Sequence, residues 1–97
     1  MAGDRFVLYG ANGFVGQAVA RLAGAEGLAP VLAGRDREAV TRLAGELGVE
    51  ARVFALEEPA AVDAGLRDAA VVLNMAGPYV GTWRPLVAGC LRAGAHY

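Results

Sequence analysis

Three glycines at regular spacing, Gly10-x-x-Gly13-x-x-Gly16, follow a short apolar run that begins after Arg5. Between a strand and a helix, that spacing suits the binding of a pyrophosphate. Gly10 can take the backbone angles of a tight turn. Gly13 carries no Cβ, so a phosphate can approach the helix N-terminus and its free amides. Gly16 lets the helix lie close on the strand before it. The same glycines would also serve a turn and a packing contact alone, but their strand–helix setting favours phosphate binding.

Arg35 stands about 25 residues beyond Gly10. NAD sites place a carboxylate at the tip of the second strand to hold the ribose 2′-hydroxyl. Here the tip reads Ala33-Gly34-Arg35. Gly34 leaves room, and Arg35 can meet a 2′-phosphate with a charge-assisted fork. NADP(H) is therefore expected in preference to NAD(H). Asp36 keeps NAD open if its carboxylate turns inward, although it is better placed to cap a helix. Arg37 either assists or is a solvated helix residue.

Asn74 and the loop Met75-Ala76-Gly77-Pro78 close another apolar run. Small residues there would let the second ribose and the nicotinamide half of a dinucleotide pass close to the main chain. Asn74 either bonds that cofactor or shapes its own loop. Tyr79 reads as packing rather than catalysis, and His96, the single histidine, as structural. Cys90, on an apolar helix face, reads as an inert thiol. Trp83 packs on a cofactor or on a further domain. No catalytic residue is assigned and no metal site is expected.

Composition narrows the chemistry. All nine basic residues are arginine, and the 97 residues include no serine, so neither Schiff-base lysines nor serine nucleophiles are available. A net charge of −1 gives no electrostatic case for nucleic acid or an anionic membrane. One cysteine makes neither an internal disulfide nor a cysteine metal site. The segment Met1–Asp4 shows no basic leader, and no apolar stretch approaches the roughly 20 residues of a membrane span. The expected compartment is the reducing cytoplasm.

The elements that must position these residues alternate between short β-rich runs and amphipathic helical stretches, the pattern of a parallel α/β sheet. Strands are expected at 5–9, 30–33, 51–55 and 70–74. The first helix is expected over 14–25, where Val15, Ala18, Val19 and Leu22 recur at helical spacing. Asp36 opens the second helix, with Val40, Leu43 and Leu47 turned inward. Glu57-Glu58-Pro59 suits a third helix start, with Val62 and Leu66 as its inner positions. Thr82 or Trp83 opens a fourth, running through Leu86, Val87, Cys90 and Leu91, and His96-Tyr97 looks like the start of a fifth strand.

Right-handed crossovers turn this into one domain over 1–97. It is a Rossmann-type three-layer α/β fold, with a parallel sheet of four to five strands ordered 3-2-1-4(-5) and helices on both faces. Nucleotides bind such sheets at the carboxyl ends of the strands, where strand order reverses, here between strands one and four. The pattern is expected to break off at the start of strand five, leaving an edge beside strand four through which copies would associate.

With those motifs in place, the chain resembles the N-terminal NADP-binding domain of the saccharopine dehydrogenase-like oxidoreductases. The matching pieces are Tyr9-Gly-Ala-Asn-Gly-Phe-Val-Gly16, Leu32-Ala-Gly-Arg35, Val71-Val-Leu-Asn-Met-Ala-Gly-Pro-Tyr79 and Ala93-Gly-Ala-His-Tyr97. The resemblance implies a pyrophosphate loop of Gly10, Ala11, Asn12, Gly13, Phe14 and Val15. It implies a 2′-phosphate on Arg35, and a nicotinamide side bordered by Asn74 through Pro78. It also implies a second, substrate-binding domain. The sequence departs from the pattern in two places. An acidic strand end that follows the His-Tyr pair in the family is absent, and the end of strand three reads Ala55-Leu56 where related reductases often carry an aspartate near adenine. Members of the group act on quite different substrates. Two functions thus stand: the cofactor domain of an NADP-dependent oxidoreductase, or a non-catalytic dinucleotide-binding sensor or scaffold.

Overall fold

The computed structural model describes residues 3–97. Four parallel strands, β1 (Arg5–Tyr9), β2 (Val31–Gly34), β3 (Ala51–Val53) and β4 (Ala69–Asn74), form one sheet in the order β3-β2-β1-β4. Helices α1 (Phe14–Ala25), α2 (Arg37–Leu47), α3 (Pro59–Gly65) and α4 (Trp83–Ala93) connect them, with a short 3-10 turn at Tyr79–Gly81. Val7 pairs with both Val31 and Val72, so the central strand is flanked on each side. Beside β4, His96 makes a single parallel bridge to Val71, donating to Ala70 O at 2.9 Å and accepting from Val72 N at 2.7 Å. The start of a fifth strand is therefore in place. It covers the middle of the edge expected to be open, leaving only the ends of β4 for association between copies.

The core divides by sheet face, as strand alternation requires. Val7, Tyr9, Val31, Ala33 and Val72 point to α3 and α4, where Val62, Leu66, Leu86 and Cys90 meet them. Leu8 and Leu32 point to α1 and α2, against Ala20, Val40, Leu43 and Ala44. Helix α1 buries Gly16, Ala20 and Ala23, and leaves Val15 and Leu22 exposed. Val15 and Leu22 of its expected stripe thus lie off the contact face, while Val19 packs partly buried against the core. The cause is Gly16: a Cβ there would lie 2.1 Å from Gly10 O, so the helix is rotated to bring its smallest residues against the turn. Leu91 of α4 is likewise exposed, and Gly89 takes the buried place. Among the described residues, no helix is long and apolar enough to cross a membrane.

Candidate functional site

The carboxyl ends of β1 and β4 diverge around a cavity of about 610 Å³, within the roughly 300–1,000 Å³ usual for small-molecule sites. Its floor is the glycine turn. Gly10 has φ +82°, and a Cβ there would lie 2.6 Å from Ala76 N, so only glycine fits both the backbone and the neighbouring loop. Gly10 N and Ala11 N both donate to Ala33 O, at 2.8 and 3.2 Å, tying the turn to β2. Gln17 Nε2 donates to Asn12 O at 2.9 Å and fixes the top of the loop. At Gly13 a Cβ would meet nothing closer than Gly10 O at 3.5 Å. That face is open.

Helix α1 begins from Gly13 with no capping side chain and no acidic residue in its first turn. Its first amides and the positive end of its dipole are therefore available to an anion. Helix α2 begins differently. Asp36 Oδ1 accepts from Ala39 N at 3.1 Å, and Glu38 adds a second negative group in the first turn. The Asp36 carboxylate is thus engaged in its own helix, the role expected of it, rather than held free for a ribose hydroxyl.

Arg35 also lines the cavity, its side chain 74% exposed. Its one hydrogen bond among the described residues runs from Nη2 to Glu57 Oε1, at 3.2 Å. A Cβ on Gly34 would sit 2.9 Å from Val40 Cγ2 and 3.0 Å from Asn12 Oδ1, so a larger residue at the β2 tip would have to displace the Val40 side chain. Tyr9 forms the wall beneath. Its hydroxyl donates to Phe54 O at 3.0 Å, and its ring tilts against Phe54 at 5.1 Å between centroids. Burial pushes the Tyr9 phenol up from its usual value; the nearby Arg35 charge opposes that and the Glu57 charge reinforces it.

The β4 exit supplies the opposite wall, through Met75, Ala76, Gly77 and Pro78, with the Gly77–Pro78 peptide cis. Asn74 holds this loop from behind. Its Nδ2 donates to Thr82 Oγ1 at 2.9 Å and to Tyr97 OH at 3.0 Å, while its Oδ1 accepts from Ala76 N at 2.9 Å. Thr82 Oγ1 donates in turn to Ala76 O at 2.9 Å. Both polar atoms of the Asn74 side chain are thus engaged by the loop, Thr82 and Tyr97.

Of the residues singled out in the sequence, the cavity brings together Gly10, Asn12, Gly13, Arg35, Ala76, Gly77 and Pro78. Ala11 is fully buried beneath the turn, and Asn74 is buried behind its loop. Phe14 is 93% exposed and Val15 54%, and neither lines the cavity. The cavity adds Tyr9, Leu56, Glu57 and Thr82 to the expected set. Leu56 and Glu57 follow the carboxyl end of β3, where the strand-end rule already places ligand contacts.

This arrangement fits a dinucleotide phosphate: an uncapped helix start beside an open glycine, and an exposed arginine at the tip of β2. A family model described as the saccharopine dehydrogenase NADP binding domain matches residues 6–97. A trans-acting enoyl reductase of Mycobacterium leprae is 40% identical over 98 residues, covering 94% of this chain but 23% of that protein. The chain therefore spans about a quarter of the length of such relatives. Saccharopine dehydrogenase (L-Glu forming) from Saccharomyces cerevisiae superposes with a TM-score of 0.81 at 26% identity, over 96% of this chain and 20% of that one. A nucleoside-diphosphate-sugar epimerase from Pseudomonas aeruginosa gives a TM-score of 0.80 at 30% identity, over 97% of this chain and 32% of that one. With the family matched from β1 to Tyr97, and a site that fits the cofactor in its name, the chain belongs to the saccharopine dehydrogenase NADP-binding domain family.

Proposed function

We propose that this chain is the cofactor-holding part of an NADPH-dependent reductase acting on an enoyl group. The observation that carries the reading is the pairing of an uncapped helix start with a mostly exposed arginine around one cavity. In this reading the first-turn amides of α1, with Gly10 to Gly13, hold the pyrophosphate. Arg35 binds the 2′-phosphate, and the Met75–Pro78 loop borders the nicotinamide half. The bound cofactor supplies hydride, and the chain's own residues bind it, orient it and keep water from one side of it. The enoyl substrate is suggested by the relatives' names, and the shared 23% of their length suggests that substrate contacts and the proton donor come from other parts of a longer protein.

Calorimetric titration of the chain with NADP+ and NAD+ tests the reading. NADP+ is expected to bind at least about tenfold more tightly, and Arg35→Ala to erase that difference. Tenfold is about 1.4 kcal/mol, in keeping with one charge-assisted contact. Equal affinities for the two cofactors in the unaltered chain would remove Arg35 from the role.

A further inference from the structure

We propose that Glu57 is a built-in competitor for Arg35, and that it sets how strongly this crevice prefers a 2′-phosphorylated ribose. The proposal rests on the reading of Arg35 as the phosphate ligand and adds a specificity-determining residue to it. Glu57 and Arg35 both line the cavity, and Glu57 Oε1 accepts from Arg35 Nη2 at 3.2 Å. Helix capping does not explain where this carboxylate points. Helix α3 starts at Pro59 with Glu58 as its N-cap, so Glu57 lies outside the helix and its first turn. Tyr9, beneath the pair, feels the two charges in opposite senses, as expected of a wall that faces both.

The sign of the effect follows from comparing two contributions. An exposed ion pair does little to hold a side chain in place, and this one is 74% and 62% exposed, so Glu57 gives Arg35 only slight preorganisation. Repulsion is larger. Two anions that share one guanidinium lie roughly 6 Å apart. A carboxylate and a doubly charged phosphate at that separation in water disfavour each other by about tenfold, falling to about threefold at 0.15 M salt. Glu57 therefore costs the crevice affinity for NADP+ and leaves NAD+, which has no 2′-phosphate, nearly untouched.

The experiment is calorimetric titration of four forms with NADP+ and NAD+ at low and near-physiological salt. The forms are the unaltered chain, Glu57→Gln, Arg35→Ala and the double variant, each checked for native circular dichroism. Expected for Glu57→Gln is NADP+ binding about threefold tighter at 0.15 M salt and more at low salt. NAD+ affinity should stay within about twofold, and part of the gain should survive in the Arg35→Ala background, because the two anions repel each other directly. If Glu57→Gln leaves NADP+ affinity unchanged or lowers it, or tightens both cofactors equally, the competition is overturned while the role of Arg35 stands. If Arg35→Ala itself leaves NADP+ binding intact, the reading beneath the proposal fails and the proposal goes with it.

Discussion

The two ends of the sheet each carry an arginine with carboxylate company, and they use it in opposite ways. At the amino ends of the strands, Arg52 has a side chain only 5% exposed and gives up its donors to four partners. Nε reaches Glu50 Oε2 at 2.7 Å, Nη1 reaches Gly65 O and Arg67 O, and Nη2 reaches Asp68 Oδ1 at 3.1 Å. Arg5 joins from β1 through Glu50 at 3.1 Å. The guanidinium thus bolts β3 to the segment leading into β4. At the carboxyl ends, Arg35 makes one bond to one exposed carboxylate and fronts a cavity. Charge alone does not make an arginine a binding group. What distinguishes the two is whether the donors are already satisfied when no ligand is present.

The sharpest way to break this contrast is Arg52→Ala. Two backbone carbonyls would lose their donor, Asp68 would lose its countercharge, and Glu50 would keep Arg5 and Arg67 but lose its closest one. Removing one partner of a buried ion pair typically costs 3–5 kcal/mol. Glu50 and Asp68 keep access to water, with side chains 34% and 46% exposed, so the lower end, about 3 kcal/mol, is expected here. Urea unfolding should show that loss, while the ratio of NADP+ to NAD+ affinity stays as it was. A fall in that ratio with stability unchanged would mean that the two ends are not separate in function.

Asn74→Ala probes a residue between the two types, at the binding end but fully engaged like Arg52. Loss of its three bonds would leave Ala76 N and Thr82 Oγ1 short of partners, for about 1–2 kcal/mol of stability. Affinity for both cofactors should fall together as the loop loosens, with their ratio fixed. A selective loss of one cofactor would instead put the Asn74 amide in contact with it.

How much of this was legible in the sequence depends on how local each cause is. The span of α1, the strand order and the Asp36 cap follow from a periodic run, a crossover rule and a side chain three residues from its amide. Strand ends slipped: β2 runs to Gly34, and β3 stops at Val53. The face α1 buries was not legible, because the apolar residues Val15 and Leu22 carry the periodic signal while the fit of Gly16 against Gly10 decides the rotation. Glu57 read as a helix-start acid because its real partner, Arg35, lies 22 residues away across the sheet. The Arg52 cage was hidden for the same reason, with partners 13 to 16 residues on that only the β3–α3–β4 crossover brings together. The geometry of the glycine turn is legible because main chain builds it, whereas pairs of side chains from different strands leave no local signal.

The smallest expected difference between the two ends lies in their response to acid. The hydrogen bond from Arg52, with the charges of Arg52 and Arg5, holds the Glu50 carboxyl below its usual range, against a burial effect that would raise it. A group whose pKa is lowered by folding stabilises the native state in full above its unfolded value, about 4.3 for glutamate. That contribution is lost progressively as pH falls from there through the lower folded value. Stability should therefore decline below about pH 4.3 partly through Glu50, and Glu50→Gln should flatten that part of the curve after an initial loss at neutral pH. Glu57→Gln, at the binding end, should change stability at neutral pH little, because its carboxylate meets Arg35 in solvent, where ion pairs contribute little. Thermal melts of Glu50→Gln between pH 3 and 7, and of Glu57→Gln at pH 7, would check this. A larger loss at pH 7 from Glu57→Gln than from Glu50→Gln would show that the pair at the binding end also carries structural weight.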